Sequence, residues 1–550
     1  MSASTTVDVR ALLNLPPLEN DDETESDAIT ALILSASQDE TPTASLEDIY
    51  SVLCQSRSES HLDPLTILPP LLQTRRAGAT NLVSLIGECG SAKEIVIAVQ
   101  EILERVARAV ADEEVDESGQ AATPAEQLLA LIGLSTAAIP RLKLRKKSPS
   151  ETLAPLLAQL ARTLHLAGPN LSREHGRQAL SGVCELVKNA FTWAQGYDAA
   201  EDATQNILKT VVDSALSDCC HCLHSALAQR TFERLFPRLT IRSQVPADWE
   251  DGEAAVANVL ATYTSLGLTL VQPASPAVSY LVLLAHSSPL PNDVNRLLSF
   301  LLPLMISSIQ TMHALDETIA LILQSLHAPM FSAGHQLSPD VSGPLCAVLP
   351  SLASSHPDPQ TRHQAFRIIS RILALTPSEL RIQILKDLVS DAQYPQMRVA
   401  AVGLTKESVL EALSREKSAD LFASPYFLQV FGPILLRPDP PDLFDAKLTL
   451  EEISQSSEPA RLVECLSLYY ILLLRDKTNR TGVRDGDQIR NVERGLLAPI
   501  RAALLRWMAE ADAELSSDHL HAELMPLVSL KMSVERVDAA VADLQQASKP

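Results

Sequence analysis

PQTRHQAFRIISRIL, residues 359–373, and PQMRVAAVGLTKESVL, residues 395–410, decide the fold. Both read Pro-Gln-x-Arg-x-x-Ala, and they start 36 residues apart. Proline pre-sets the first turn of a helix. The apolar residues then recur at helical spacing, as Phe366, Ile369, Ile372 and Leu373 in one copy and Val399, Val402, Val409 and Leu410 in the other. Between them TPSELRIQILKDLVSD, residues 376–391, supplies a second helix with Pro377 and Ser378 at its start. A helix pair of this length, opening with proline and an early arginine, is the pattern of HEAT-type repeats. Each pair leaves one apolar face open for its neighbour, so the expected architecture is an all-α, HEAT/armadillo-like α-solenoid.

Composition agrees. Hydrophobic residues make up 46% of the 550 positions but aromatics only 4%, and glycine is scarce at 18. Leucine and alanine lose little entropy in helices, and few glycines leave little material for tight hairpins or phosphate-cradling loops. The strand candidate RLTIRSQV, residues 238–245, is short and isolated.

The formal net charge of −22 repels nucleic acid and anionic membrane surfaces, and suits a basic or cationic protein partner. The most apolar run, LLSFLLPLMISS at 297–308, is too short to span a bilayer. No signal-peptide core opens the chain, so the eight cysteines are expected as reduced thiols in the cytoplasm or nucleus. The sequons at Asn170 and Asn479 are expected to stay unused for the same reason.

Along the chain, residues 1–44 read as an acidic, partly ordered arm containing ENDDETESD at 19–27. Residues 45–437 read as helical repeats, 438–458 as a proline-rich and acidic loop opening with PDPPDLFD, and 459–545 as C-terminal helical repeats. Within the first array, DEEVDESGQAATP at 112–124 reads as an acidic loop and RLKLRKKSPS at 141–150 as a short basic linker. GECGSAKE at 87–94 lacks the Lys-Ser/Thr of a phosphate loop and reads as a turn between helices.

DCCHCLHSAL, residues 218–227, sets three cysteines and two histidines together. Read as part of one helix over 199–228, the stripe Leu208, Val212, Ala215, Cys219, Cys222, Ala226 faces the core. Cys220, His221 and His224 then point the other way, and neither face supplies four ligands for tetrahedral zinc. Packing is the expected role, with no metal and with Cys220 an exposed candidate redox thiol. No Walker loop, HExxH, GxSxG, GxGxxG or kinase signature is present, and no enzyme or cofactor is expected.

Two C-terminal features carry a family resemblance. YYILLLRDKTNRTGVRDGDQIRNVERGLLAPIRAAL, residues 469–504, contains Asn479-x-Thr481-Gly482, then Ile489-x-Asn491-Val492-Glu493, then Leu497-x-Pro499-Ile500. With the segment holding Pro395, Arg398 and Gly403, it resembles the glomulin family, which includes the plant lateral-root-formation proteins and the fungal YAP-binding proteins. GSAKEIVIAVQEILE at 90–104 is similar to that family's N-terminal Lys-Glu helix, with GSAKE in place of Gly-Asn-Pro-Lys-Glu. The resemblance is concentrated in residues 354–506 and does not reach the cysteine cluster. It implies a non-enzymatic helical-repeat regulator. One branch binds the RING subunit of cullin ubiquitin ligases and inhibits ubiquitin transfer by occlusion. Another partners a bZIP transcription factor in the oxidative-stress response, and a relative acts at the kinetochore.

On a helix over 487–508, Leu497, Ile500, Leu504 and Met508 form the expected buried stripe. Arg490, Arg494 and Arg501 fall at offsets 0, 4 and 11 and share one edge, which reads either as a solvated rim or as a candidate contact for an acidic partner. Trp507 is a candidate interface anchor, or equally a core residue. Thr481 and Gly482 read as a polar turn in which Gly482 takes positive φ, and Asn491 and Glu493 as first-turn acceptors of the next helix.

Overall fold

The computed structural model describes residues 25–56, 62–112, 121–197, 202–239, 247–287, 289–332, 334–391, 393–415, 420–444, 449–514 and 520–547. Helices joined by short turns account for almost all of them. No strand occurs among the described residues, and a lone bridge links Thr74 to Ala121. The protein is all-α and built of helical repeats. It divides into two compact units, Met1–Leu290 with Thr311–Leu321, and Pro291–Gln310 with Ile322–Pro550.

In the first unit the helices are α1 (Glu25–Gln38), α2 (Leu46–Ser56), α3 (Pro64–Gln73), α4 (Ala79–Cys89), α5 (Ala92–Ala111), α6 (Pro124–Ala138), α7 (Pro149–Ala167), α8 (Arg173–Gln195), α9 (Asp202–Cys219), α10 (Leu227–Leu235), α11 (Trp249–Ser265) and α12 (Val278–Ala285). They stack in two layers. α1, α3, α5, α7 and α9 pack each on the next in one layer, and α2, α4, α6, α8 and α11 do the same in the other. The pattern follows from amphipathicity. α5 buries Ile95, Ala98, Val99, Ile102, Leu103, Val106 and Ala107, a stripe wide enough to serve both its own layer and the facing one. Sequence punctuation sets the starts. Thr123 with Glu126 and Ser148 with Glu151 form capping boxes, each followed by a proline in the first turn.

Part of the expected acidic arm is a helix of this stack. α1 buries Ile29 and Ile33 completely, with Glu25 and Asp27 in its first turn, while residues 1–24 lie outside the described residues. GECGSAKE is the turn between α4 and α5, as read. The strand candidate at 238–245 lies mostly outside the described residues; Arg238 and Leu239 are in a turn.

The cysteine stretch departs from its sequence reading. α9 stops at Cys219, a 3-10 turn takes Cys220–Cys222, and His224 and Ala226 adopt left-handed φ of 46° and 50° before α10. The expected single helix over 199–228 is broken without glycine or proline because partners elsewhere satisfy the freed backbone. Arg177 Nε donates to the Cys222 carbonyl at 3.0 Å and its Nη2 to that of Leu223 at 2.6 Å. Asp316 accepts from the Leu227 and Ala228 N–H groups at 2.8 and 2.9 Å, capping α10. Two glycines make room for the turn: a Cβ on Gly176 would overlap Cys222 Sγ, and one on Gly252 would overlap the Leu223 carbonyl oxygen.

All three clustered cysteines are consequently buried. Cys219 and Cys222 face the core as expected, and burial pushes their thiols up to about 12 and about 11. Cys220 is a correction. It is 3% exposed, its Sγ is 3.1 Å from His313 Nε2, and burial raises its pKa as well. The exposure on which its reading as a redox thiol rested is absent.

The second unit contains α13 (Val294–Thr311), the C-terminal part of α14 (Leu315–Leu326), α15 (Pro339–Ser355), α16 (Pro359–Leu375), α17 (Ser378–Ser390), α18 (Pro395–Ser414), α19 (Pro425–Leu435), α20 (Leu450–Gln455), α21 (Glu458–Arg475), α22 (Gly486–Val492), α23 (Ala498–Glu514) and α24 (Leu520–Ala547). The 36-residue repeat is real at the level of helices. Pro359 and Pro395 each open one, with α17 between them. Ile369, Ile372, Leu373, Val402 and Val409 are buried, and Phe366, Val399 and Leu410 half-buried. The segment 438–458 is not loop throughout, since α20 forms inside it behind a Thr449–Glu452 capping box and packs on α21, α23 and α24. The run at 297–308 lies within α13, and among the described residues no helix is long and apolar enough to cross a membrane.

Candidate partner-binding site

The end of the second unit is framed by three polar assemblies. The first joins α18 to α21. Arg398, three residues into α18, donates through Nε to the Val389 carbonyl at 3.0 Å and through Nη1 to Glu458 at 3.1 Å, and its Nη2 reaches Asp439. Glu458 also accepts from Arg461 Nε at 2.6 Å, and Arg461 is 1% exposed. A buried cation removed from water needs such partners, so the assembly fixes how the two helices meet.

The second assembly is the turn from α21 to α22. Asp476, buried at the C-cap of α21, accepts from the backbone of Arg480 at 2.8 Å and from the backbone and hydroxyl of Thr481, both at 2.7 Å. Asn479, at φ 54°, donates to Asp485 at 2.7 Å and accepts from the Arg484 N–H at 2.8 Å. Gly482 takes φ 77°, as expected. Arg484 turns back to donate through Nε to the Leu473 carbonyl at 3.0 Å, which satisfies an end of α21.

The third assembly lies beyond a π-helical turn at Glu493–Leu497. Arg501 forks between Glu493, at 2.6 and 3.0 Å, and Asp538, at 3.1 and 2.5 Å, tying α23 to α24. The paired guanidinium lowers the Glu493 pKa, and the two carboxylates raise that of Arg501.

These assemblies sort the sequence candidates. Asn479, Thr481, Gly482 and Arg398 are internal braces. Pro395 opens α18 in solvent, Pro499 is half-buried in the first turn of α23, and Gly403 sits mid-helix with open space where a Cβ would stand. Asn491 and Glu493 are not first-turn acceptors, because α22 begins at Gly486; Asn491 is exposed in its last turn, and Glu493 serves Arg501. Leu497, Ile500 and Leu504 are buried as expected, and Met508 is half-buried. Trp507 is corrected: it is fully buried, 6.4 Å from the Phe444 ring, and anchors the core rather than an interface. The three-arginine edge is corrected too. Arg490 and Arg494 are exposed, with Arg490 paired to Asp487, but Arg501 is bound by the unit's own carboxylates.

Sequence reading missed Asp476 and Arg484, whose roles depend on backbone atoms they reach in space, and Arg461, which pairs with Glu458 inside the core. It also missed an apolar surface. Met525, Val528 and Met532, spaced three and four apart on α24, stand in solvent beside the buried Leu527, Leu530 and Val534, and Leu505 on α23 is 74% exposed. Helical spacing would have shown that stripe, had α24 been singled out. Among the described residues no three His, Cys, Asp or Glu side chains gather to hold a metal ion.

The first two assemblies, the Glu493–Arg501 pair of the third and the exposed stripe fall in residues 287–533, which match the family described as "Uncharacterised protein family, YAP/Alf4/glomulin", while Asp538 lies just past that segment. That segment is similar to the YAP/Alf4/glomulin family, and the match covers less than half of the chain. No curated protein matches the chain. The family segment begins just before α13 and takes in every signature residue named above, while the cysteine turn and the two-layer stack of the first unit precede it.

Proposed function

We propose that this chain is a non-enzymatic binding protein of the cytosol or nucleus. Its C-terminal unit would hold the RING subunit of a cullin ubiquitin ligase and cover the face used by the ubiquitin-conjugating enzyme. The observation that carries the reading is the family match over 287–533. Occlusion asks for a firm surface and no catalytic group. Firmness is what the Arg398–Glu458–Arg461, Asp476–Thr481 and Glu493–Arg501–Asp538 contacts supply. Exposed on the helices that these contacts brace are two cations, Arg490 and Arg494, and the apolar Leu505, Met525, Val528 and Met532. Methionines adapt to a partner's shape, and an apolar centre with a charged rim is the usual anatomy of an interface of about 1,600 Å².

The test is direct. Purified full-length chain is added to a reconstituted cullin–RING ligase, and discharge of ubiquitin from the charged conjugating enzyme is followed. Inhibition that Met525→Asp with Met532→Asp relieves at least tenfold supports the reading. No inhibition at micromolar chain, together with capture of a purified bZIP stress factor by the same surface, would place the protein on the YAP-binding branch instead.

A further inference from the structure

The basic linker of the first unit has no role in the stack that explains its charge. Lys143, Arg145, Lys146 and Lys147 are all exposed in a chain with 67 acidic and 45 basic residues. None of the four makes an ion pair or hydrogen bond to a described residue, although other surface cations do, such as Arg75 with Glu126 and Arg230 with Glu253. Four like charges within five residues repel one another.

The backbone beneath them is nevertheless held in place. Arg141 donates to the Gly90 carbonyl at 2.7 Å, to that of Ala137 at 3.2 Å and to that of Gly87, capping the ends of α4 and α6. The Leu142 carbonyl accepts from Trp193 Nε1 at 2.9 Å and from Tyr197 Oη at 3.0 Å, both at the end of α8. Leu142 and Leu144 pack against the core. At the far side Ser148 is locked in its capping box with Glu151. Inward leucines at 142 and 144 leave 143 and 145 outward, followed by 146 and 147. The linker is a strip laid along the rim and presenting side-chain charge, not a loose loop that a partner could pull out and read by its backbone.

We propose that Lys143, Arg145, Lys146 and Lys147 form a docking strip for a short acidic peptide segment of a partner protein. The five positions span roughly 16 Å if extended, the reach of four to six peptide residues. Size and charge favour that occupant. A long polyanion or an anionic bilayer would extend past the strip over a chain whose overall net charge is −22, whereas a short carboxylate-rich segment meets only the cations. The strip lies in the first unit, outside the family segment, so it is independent of the ligase reading.

Fluorescence anisotropy on full-length protein tests it, with a labelled peptide Glu-Asp-Glu-Glu-Asp-Glu, its Gln/Asn counterpart, a 20-nucleotide single strand and phosphatidylserine vesicles as probes. The acidic peptide is expected to bind, and to weaken at least tenfold between 50 and about 200 mM salt. The amide peptide is expected not to bind. The variant Lys143→Ala, Arg145→Ala, Lys146→Ala, Lys147→Ala is expected to lose at least tenfold with an unchanged thermal melt, and Lys→Arg at the three lysines to retain binding. Three results would overturn the proposal: no acidic-peptide binding, binding indifferent to the alanine variant, or tighter capture of the oligonucleotide or the vesicles by the same four residues.

Discussion

Glu317 offers a sharp test of how the first unit is held together. The segment Thr311–Leu321 belongs to that unit, and Met312 and Ala314 in it take left-handed φ of 64° and 53°. They match the strained pair His224 and Ala226 on the other side of the Asp316 cap. Glu317 follows Asp316 and is 3% exposed. Burial, reinforced by the neighbouring Asp316 carboxylate, pushes its carboxyl from the ordinary 4.5 up to about 8. Cys220 and His313 lie on the same side, the cysteine within range of the Glu317 charge, and Arg230 faces Asp316.

The native state therefore keeps a proton that the unfolded chain releases near pH 4.5. Between that value and about 8 the folded form binds more protons, so stability is greatest on the acid side and falls as pH rises through the window. One proton corresponds to about 1.4 kcal/mol per pH unit, and the full window to a ceiling of ~5 kcal/mol. Glu317→Gln keeps the shape and removes the titration. Urea unfolding followed at 222 nm, from pH 5.5 to 8.5, is expected to show the variant gaining on wild type steadily and exceeding it by ~2–4 kcal/mol at the alkaline end. A stability gap that stays constant with pH, or a variant weaker than wild type at pH 8.5, would refute the argument.

Thiol labelling of native protein is expected to modify Cys54 and Cys89 first, since they are the exposed cysteines, while Cys219, Cys220 and Cys222 react only on unfolding. Fast labelling of Cys220 would contradict its burial. Leu497→Asp puts a charge at a position 2% exposed and is expected to cost more than ~3 kcal/mol, seen as protease sensitivity confined to the C-terminal helices. Arg501→Glu faces Glu493 and Asp538 with a third carboxylate and should lower stability by ~1–2 kcal/mol. Reversing Arg490 and Arg494 should leave the melt unchanged and weaken partner binding. Equal melts for all three reversals would show that the Arg501 fork is not holding α23 to α24.

The helices were legible wherever a local signal sufficed. Proline at the first turn marked α16 and α18, the apolar stripe marked α5, and the lack of Lys-Ser/Thr turned GECGSAKE from a phosphate loop into a turn. What was not legible depended on distant partners. Nothing local ends a helix at Cys219; Arg177 and Asp316 do, through bonds that span 45 and 89 residues of sequence. Acid content suggested that the N-terminal arm stays solvated, yet Ile29 and Ile33 outweigh it by burying against α3. The arginine edge failed for a geometric reason. The π turn at Glu493–Leu497 inserts an extra residue into the helical phase, so offsets counted at 100° per residue misplace Arg501 by about one position.

The division of labour at the C-terminus follows from the same contacts. Thr481 and Asn479 use their polar atoms on Asp476, Asp485 and the backbone, Glu493 uses both oxygens on Arg501, and Arg398 is drawn between Glu458 and Asp439. A side chain so engaged has little left to offer a partner, because freeing it would strand a desolvated charge or acceptor. The family signature thus specifies a frame. The residues that the frame leaves outward are Arg490, Arg494, Leu505, Met525, Val528 and Met532, and under the proposed function recognition would fall to them. Substitutions confined to these outward positions are therefore expected to change binding and leave the helices beneath them untouched.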